Sequence, residues 1–344
     1  MYKILIAIGL LVGSVTLYLK ESKAPFNVKT FFAKEILTIY TYDSFAASWG
    51  PAPLIKKAFD KKYNCDLKFV ATDSSIGALR KVQIEGKNTK ADILLGLDTN
   101  TAELARKTGL FAKSGVDTSK LTLPKKWIDD EFVPFDYSYF AFVYDSNKLK
   151  NPPTSLKELA NTPKNFKIII EDPRSSTPGL GLLLWVKSVY KDKAVDYWKK
   201  LAPHILTVTK GWSEAYNLFL KGEADMVFSY TTSPAYHIIE EKKYNYKTAN
   251  FKAGHYAQIE IAGMLKSSKH KKLAKEFLNF MLSEQFANII PTTNWSYPVV
   301  KTQKGLPKGY STIYVPKKMI LMDGKAVEKN RKAYINEWLE AISK

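Results

Sequence analysis

From Ile36 onward, short apolar runs alternate with segments whose apolar residues recur every three or four positions. The first pattern suits buried strands and the second amphipathic helices. Ile36–Tyr42 predicts a strand that ends in Asp43-Ser44, and Pro53–Tyr63 puts Leu54, Ile55, Ala58 and Phe59 on one helical face. Asp66–Ala71 then reads as a strand, Ile76–Glu85 as a helix and Ala91–Leu95 as a strand. Together these form a βαβαβ unit, the signature of α/β layers with mainly parallel strands.

Phe132–Tyr144 is aromatic and too long for a simple core strand, and it suits a segment passing from one domain into another. A second α/β series follows it. Strands are predicted at Phe166–Ile170, Ile205–Thr209 and Asp225–Tyr230, and helices at Gly179–Tyr190, Ala194–Leu201 and Ser213–Lys221. Tyr256–Leu265 is another long extended run that returns the chain to the first domain, before helices at Lys271–Leu282 and Glu328–Ser343. Two crossings imply two lobes with a cleft between them: residues 36–138 with 256–344, and residues 139–255. Ahead of both, Lys3 precedes the apolar run Ile4–Leu19, the length of a secretory h-region and short for a membrane span. Residues 1–35 therefore read as a signal peptide or uncleaved anchor plus spacer, and the protein as exported.

The chain has 344 residues, 45% hydrophobic and 25% charged, which excludes disorder and leaves ample material for two cores. The net charge is +19, yet only Arg80, Arg106, Arg174 and Arg331 are arginines among 52 basic residues. Nucleic-acid readers rely on the bidentate fork of arginine, so dispersed lysine argues for a solvated surface and against a nucleic-acid partner. Such a charge repels cations at long range, so any cation site must be built locally. Cys65 is the only cysteine, and no intrachain disulfide or four-cysteine zinc site can form.

Ligands of open α/β sheets sit beyond the carboxyl ends of strands. The residues there are Tyr42, Asp43 and Ser44; Asp73, Ser74 and Ser75; and Asp172, Arg174, Ser175, Ser176 and Thr177. Thr177-Pro178-Gly179 reads as a helix start with Thr177 as its cap, either an ordinary cap or a place for an anion. Trp212, Tyr230, Tyr236 and Trp295 fall at turns rich in hydroxyls, among them Thr231, Thr232 and Ser233. Aromatics converging with hydroxyls suit an organic cation or heteroaromatic ring, held by stacking and cation–π contact. Acid, base and nucleophile candidates are sparse. His204, His237, His255 and His270 match no hydrolase or zinc-protease pattern, His237 with Glu240 and Glu241 reads as a solvated helix face rather than a metal site, and Cys65 lies at the amino end of its strand, away from the ligand side.

The segments Tyr40–Phe45, Leu95–Asp98, Val133–Tyr137, Asp172–Arg174, Ser176–Gly181, Lys210–Tyr216 and Ser229–His237 resemble, in order, the periplasmic thiamine-binding proteins of bacterial ABC importers. The resemblance runs from about Leu37 to Val300. It implies an α/β, two-lobed type II periplasmic-binding-protein fold with a hinge of two crossover strands, and a partner permease in the membrane. It further implies that Tyr42, Trp212, Tyr230, Tyr236 and Trp295 surround the rings of thiamine, with Thr231, Thr232 and Ser233 as polar contacts. Ser176, Thr177 and the Asp73-Ser74-Ser75 turn would hold the hydroxyethyl end, or the phosphate of thiamine monophosphate or thiamine diphosphate, and Asp73 or Asp43 would offset the ring's positive charge. No cofactor or resident metal is implied. A ferric-iron-binding protein and a thiamine-cleaving enzyme of the same fold are the alternatives.

Overall fold

The structure is a computed structural model that describes residues 34–343, so the expected signal segment lies outside the described residues. Ile36–Lys344 forms one compact unit. Its strands are β1 (Ile36–Tyr42), β2 (Asp66–Thr72), β3 (Ile93–Asp98), β4 (Phe132–Asp145), β5 (Ile168–Glu171), β6 (Ile205–Thr209), β7 (Met226–Tyr230), β8 (Tyr246–Thr248), β9 (His255–Met264), β10 (Tyr297–Pro298) and β11 (Met319–Ile320). The longer helices are α1 (Ala52–Tyr63), α2 (Ser75–Glu85), α3 (Thr177–Tyr190), α4 (Ala194–Leu201), α5 (Trp212–Leu220), α6 (Lys271–Met281) and α7 (Gly324–Ile342).

The strand order is β2-β1-β3-β9-β4-β7-β5-β6. β1 runs parallel to β2 and β3, and β5 runs parallel to β6 and β7, as the βαβ pattern requires. Within this order β4 and β9 are antiparallel to their neighbours and join the two halves, and β11 adds to β9 in parallel. The first part of β4 pairs with β9, from Phe132 opposite Gly263 to Tyr139 opposite Ala257. At Phe140 it changes partner and pairs with β7, Phe140 opposite Tyr230. The long aromatic run is therefore a strand shared by two lobes, and that sharing explains its length.

Alternation along the strands sends successive side chains to opposite faces. In β1, Leu37 and Ile39 enter a core with Phe45, Phe59, Phe135 and Phe277, whereas Tyr40 enters the core on the other face with Leu79, Val82 and Phe132. The second lobe is built around Phe140, Trp185, Trp198 and Phe228. α3 is buried along its first ten residues and is apolar all round, as expected of a helix enclosed between sheet and neighbours.

The C-terminal helix differs from the sequence expectation, which assigned 256–344 to the first lobe. α7 buries Val327, Trp338 and Ala341 in the apolar cluster of the second lobe, and Trp338 meets Trp198 edge to face at 6.4 Å. The cause is its apolar stripe, which finds a complementary surface on α3 and α4; Lys187 and Glu337 add an ion pair at 2.7 Å.

His255, at the start of β9, ties the junction together. Its Nδ1–H donates to the Phe140 carbonyl at 2.7 Å, where β4 changes partner, and its Nε2 accepts from the Phe251 amide at 3.0 Å. That bonding requires a neutral ring, and burial pushes its pKa down to about 4. In the unfolded chain the pKa is near 6.5, so the stabilisation is complete above about pH 6.5 and is lost as pH falls toward 4, by roughly 3 kcal/mol. Denaturant titrations at stepped pH should show this fall, and His255→Gln should flatten it. Separately, Trp338→Ala should lower stability by about 3–5 kcal/mol in the same assay, as for other buried indoles.

Candidate functional site

The carboxyl ends of the strands of both lobes face one cleft of about 640 Å³, within the range of small-molecule sites. Of the residues expected from sequence, Tyr42, Asp73, Ser74, Ser75, Ser176, Thr177, Trp212, Tyr230, Ser233, Tyr236 and Trp295 line it. Thr231 and Thr232 do not. Both are fully buried, Thr231 donating its amide to the Tyr139 carbonyl at 2.8 Å and Thr232 sharing a hydroxyl contact with Ser138 at 2.9 Å. They fasten the turn after β7 to the crossover strand, and so act behind the cleft wall.

The aromatic faces come from both lobes. Trp212 stacks on Tyr216 at 5.0 Å, and its Nε1–H donates to Ser229 Oγ at 2.8 Å, which in turn contacts Ser233 Oγ at 2.8 Å. This chain fixes the indole plane. Across the cleft Trp295 meets Tyr236 edge to face at 5.3 Å. Trp295 has a φ of +53°, a left-handed conformation that costs a bulky residue about 1–3 kcal/mol. Bonds from the Asn294 and Trp295 amides to the Ile290 carbonyl hold it there.

The helix start at Ser176–Gly179 also differs in register. Ser176, not Thr177, is the cap, its Oγ accepting from the Gly179 amide at 3.3 Å, while Thr177 Oγ1 accepts from Gln258 Nε2 at 3.2 Å. A Cβ at Gly179 would lie 2.5 Å from the Glu171 carbonyl oxygen, so only glycine lets α3 begin this close to β5. Opposite, Ser74 caps α2 by accepting from the Gly77 amide at 3.1 Å. Asp73 is ion-paired with Lys210 of the other lobe, so its charge is already answered at the cleft mouth.

The acid on the floor is one that sequence reading missed. Glu260 of β9 lies opposite Asp98 of β3 and opposite Asp136 of β4, a row of three carboxyls across adjacent strands. Glu260 Oε2 accepts from the Tyr42 hydroxyl at 2.9 Å, and Asn294 Nδ2 donates to Asp136 Oδ2 at 2.6 Å and to Glu260 Oε2 at 3.3 Å. Burial pushes the Asp136 carboxyl up to about 7; burial, then the Asp136 charge, holds Glu260 well above the usual carboxylate range. The same two causes, burial first and then the Glu260 charge, raise the Tyr42 hydroxyl. Glu260 and Asn294 line the cleft, as do Trp49, Tyr216 and Gln258, none of which lay in the expected set.

The remaining candidates are structural. His237 is buried between the Tyr216 hydroxyl at 2.9 Å and Glu241 at 2.8 Å, so the expected solvated face is instead a packed histidine with a lowered pKa, burial outweighing Glu241. Cys65 is buried in the core of the first lobe, outside the cleft, and burial pushes its thiol up to about 11. Among the described residues no cluster of three or more His, Cys, Asp or Glu is arranged to hold a metal ion.

Residues 47–288 match the model of the bacterial extracellular solute-binding proteins. The chain belongs to that family. This solute-binding protein is similar to the thiamine-binding periplasmic protein of Escherichia coli, 56% identical over 91% of this chain and 95% of the relative. It is 51% identical to the protein of that name from Brucella melitensis, over 91% of this chain and 93% of the relative. A solved structure of a periplasmic thiamin binding protein superposes with a TM-score of 0.89 at 54% identity, covering 94% of this chain and 100% of that one. The two-lobed type II fold with its crossover hinge is thus the fold of this chain.

The Ser229 relay gives a direct test of the wall. Ser229→Ala leaves the Trp212 N–H and the Ser233 hydroxyl short of a partner, and should cost about 1–3 kcal/mol of stability and red-shift the tryptophan emission.

Proposed function

We propose that this protein is the substrate-binding component of a thiamine ABC importer, capturing thiamine between its lobes in the periplasm and delivering it to a membrane permease. The observation that carries the reading is a cleft in which flat aromatic faces from both lobes surround a buried carboxyl floor. Thiamine is a cationic thiazolium joined to an aminopyrimidine: two flat rings, one positive. Tyr42, Trp212, Tyr230, Tyr236 and Trp295 supply the π-faces, each worth about 0.5–2 kcal/mol against a cation, and Ser233 a hydroxyl. Glu260 on the floor, with Asp43 and Glu240 also lining the cleft, makes the site locally acidic within a chain of net charge +19.

The ring-free end of the ligand meets Ser74, Ser75, Ser176 and Thr177, at the facing starts of α2 and α3. Backbone N–H groups and helix dipoles there favour an anion, so the same cleft accepts thiamine monophosphate and thiamine diphosphate. No covalent step is part of this function. Closure of the lobes over the ligand follows from binding energy gained only when both walls touch it.

Titration calorimetry with thiamine should give saturable one-to-one binding, and no heat at tens of micromolar ligand would overturn the reading. Trp212→Ala and Trp295→Ala should each weaken binding by about 3–30-fold, the equivalent of one ring contact. Ferric iron should not compete, and thiamine incubated with the protein should be recovered intact.

A further inference from the structure

Like charges directly opposite each other destabilise a sheet, yet Glu260 faces Asp98 on one side and Asp136 on the other. The groups that bond to Glu260 and Asp136 are neutral: the Tyr42 hydroxyl from β1 and the Asn294 amide from the loop before β10. The other titratable groups that bear on the pair are Tyr230 from β7 and Tyr310, with Glu171 acting on Tyr230 from β5. Among the described residues no lysine, arginine or histidine bonds to either carboxyl. Asp136 Oδ1 has no hydrogen-bond partner, and the two carboxyls converge on one amide, Asn294 Nδ2, at 2.6 Å and 3.3 Å, close enough that both cannot readily carry a charge together.

Resting on the thiamine reading, we infer that the Glu260–Asp136 pair discriminates ligands by charge: it shares a proton in the empty cleft and releases that proton to solvent when a cationic ring settles against Glu260. Counted with the bound cation, the pair carries one net negative charge in both states, −1 with its proton and −2 plus +1 without it. A buried pair that stayed fully ionised without a cation would pay heavily for desolvation, and a fully protonated pair would do nothing for a thiazolium. A neutral ring of the same shape gains no such term, because it cannot displace the proton. Glu260 is the residue that touches the ligand. Asp136 acts through it.

Proton linkage fixes the sign. If binding releases a proton, affinity rises with pH, by up to about tenfold per unit for one proton released. The probes are thiamine itself and its thiophene isostere, in which the positive ring nitrogen is replaced by carbon and the ring is neutral. Calorimetry between about pH 6.5 and 8 in buffers of different ionisation enthalpy counts the protons; the expected result is about 0.5–1 released per thiamine and none per isostere. Glu260→Gln should abolish the release and weaken thiamine binding more than isostere binding, cutting the preference for the cation by about tenfold or more; Asp136→Asn should reduce the release in the same direction. Circular dichroism confirms that each variant is folded, and the wild-type proton count stands whether or not the variants fold. Thiamine binding by the wild-type protein with no proton release, and with no greater affinity than the isostere, would overturn this inference and leave the thiamine reading intact. Failure of thiamine to bind at all would overturn both.

Discussion

The antiparallel pairing of β4 with β9 is the constraint on which the rest of this structure depends. It is the seam between the lobes, because β4 leaves β9 at Tyr139 and continues as the neighbour of β7. It also sets the chemistry of the cleft floor, because the same register that closes the seam brings Asp136 opposite Glu260. Side-chain alternation has a period of two, so a slip of one residue would turn Glu260 to the other face of the sheet and empty the floor of its charge. Hinge geometry and ligand chemistry are thus fixed by one set of backbone hydrogen bonds, and His255 anchors that set at the point of handover.

A binding cleft for a cation inside a strongly basic protein poses an electrostatic problem, and the fold answers it by separation of scale. Lysines dominate the surface, where a Debye length of roughly 8 Å screens them at physiological salt. The carboxyls sit in the interior, where screening is weak and each charge carries further. The site also holds strain: Trp295 is kept in a left-handed conformation by bonds from its own loop to Ile290, with its indole against Tyr236. Folding energy gathered elsewhere, in the phenylalanine-rich cores on either side of the first sheet, offsets that cost.

Much of this was legible in the sequence. The βαβ alternation named the parallel strands, and the unusual length of Phe132–Tyr144 and Tyr256–Leu265 named the crossings, since only a strand serving two lobes has reason to be so long and so apolar. Aromatics at strand-to-helix turns named most of the wall. Thr231 and Thr232 lie behind the wall because a hydroxyl at a turn can point either way, and tertiary packing ties these two residues to Tyr139 and Ser138. Glu260 escaped because it sits within a strand rather than after one. A signal was nevertheless present: an acid in the middle of ten otherwise mostly apolar residues is costly to bury, and such a cost calls for a use. The packing of α7 was hidden for a different reason, since an apolar stripe says that a helix must be covered without saying by what.

That helix changes how the molecule can move. Because α7 lies on the second lobe while β10 extends the first sheet, the polypeptide spans the gap three times rather than twice: along β4, along β9, and through the stretch joining β10 to α7. Two adjacent links alone would allow a body to swing and also to swivel. The third lies against β9, where β11 pairs with it at His255 and Tyr256, and Glu328 at the start of α7 is ion-paired with Lys107 of the first lobe, so the hinge is a laced bundle of links rather than a bare pair of strands.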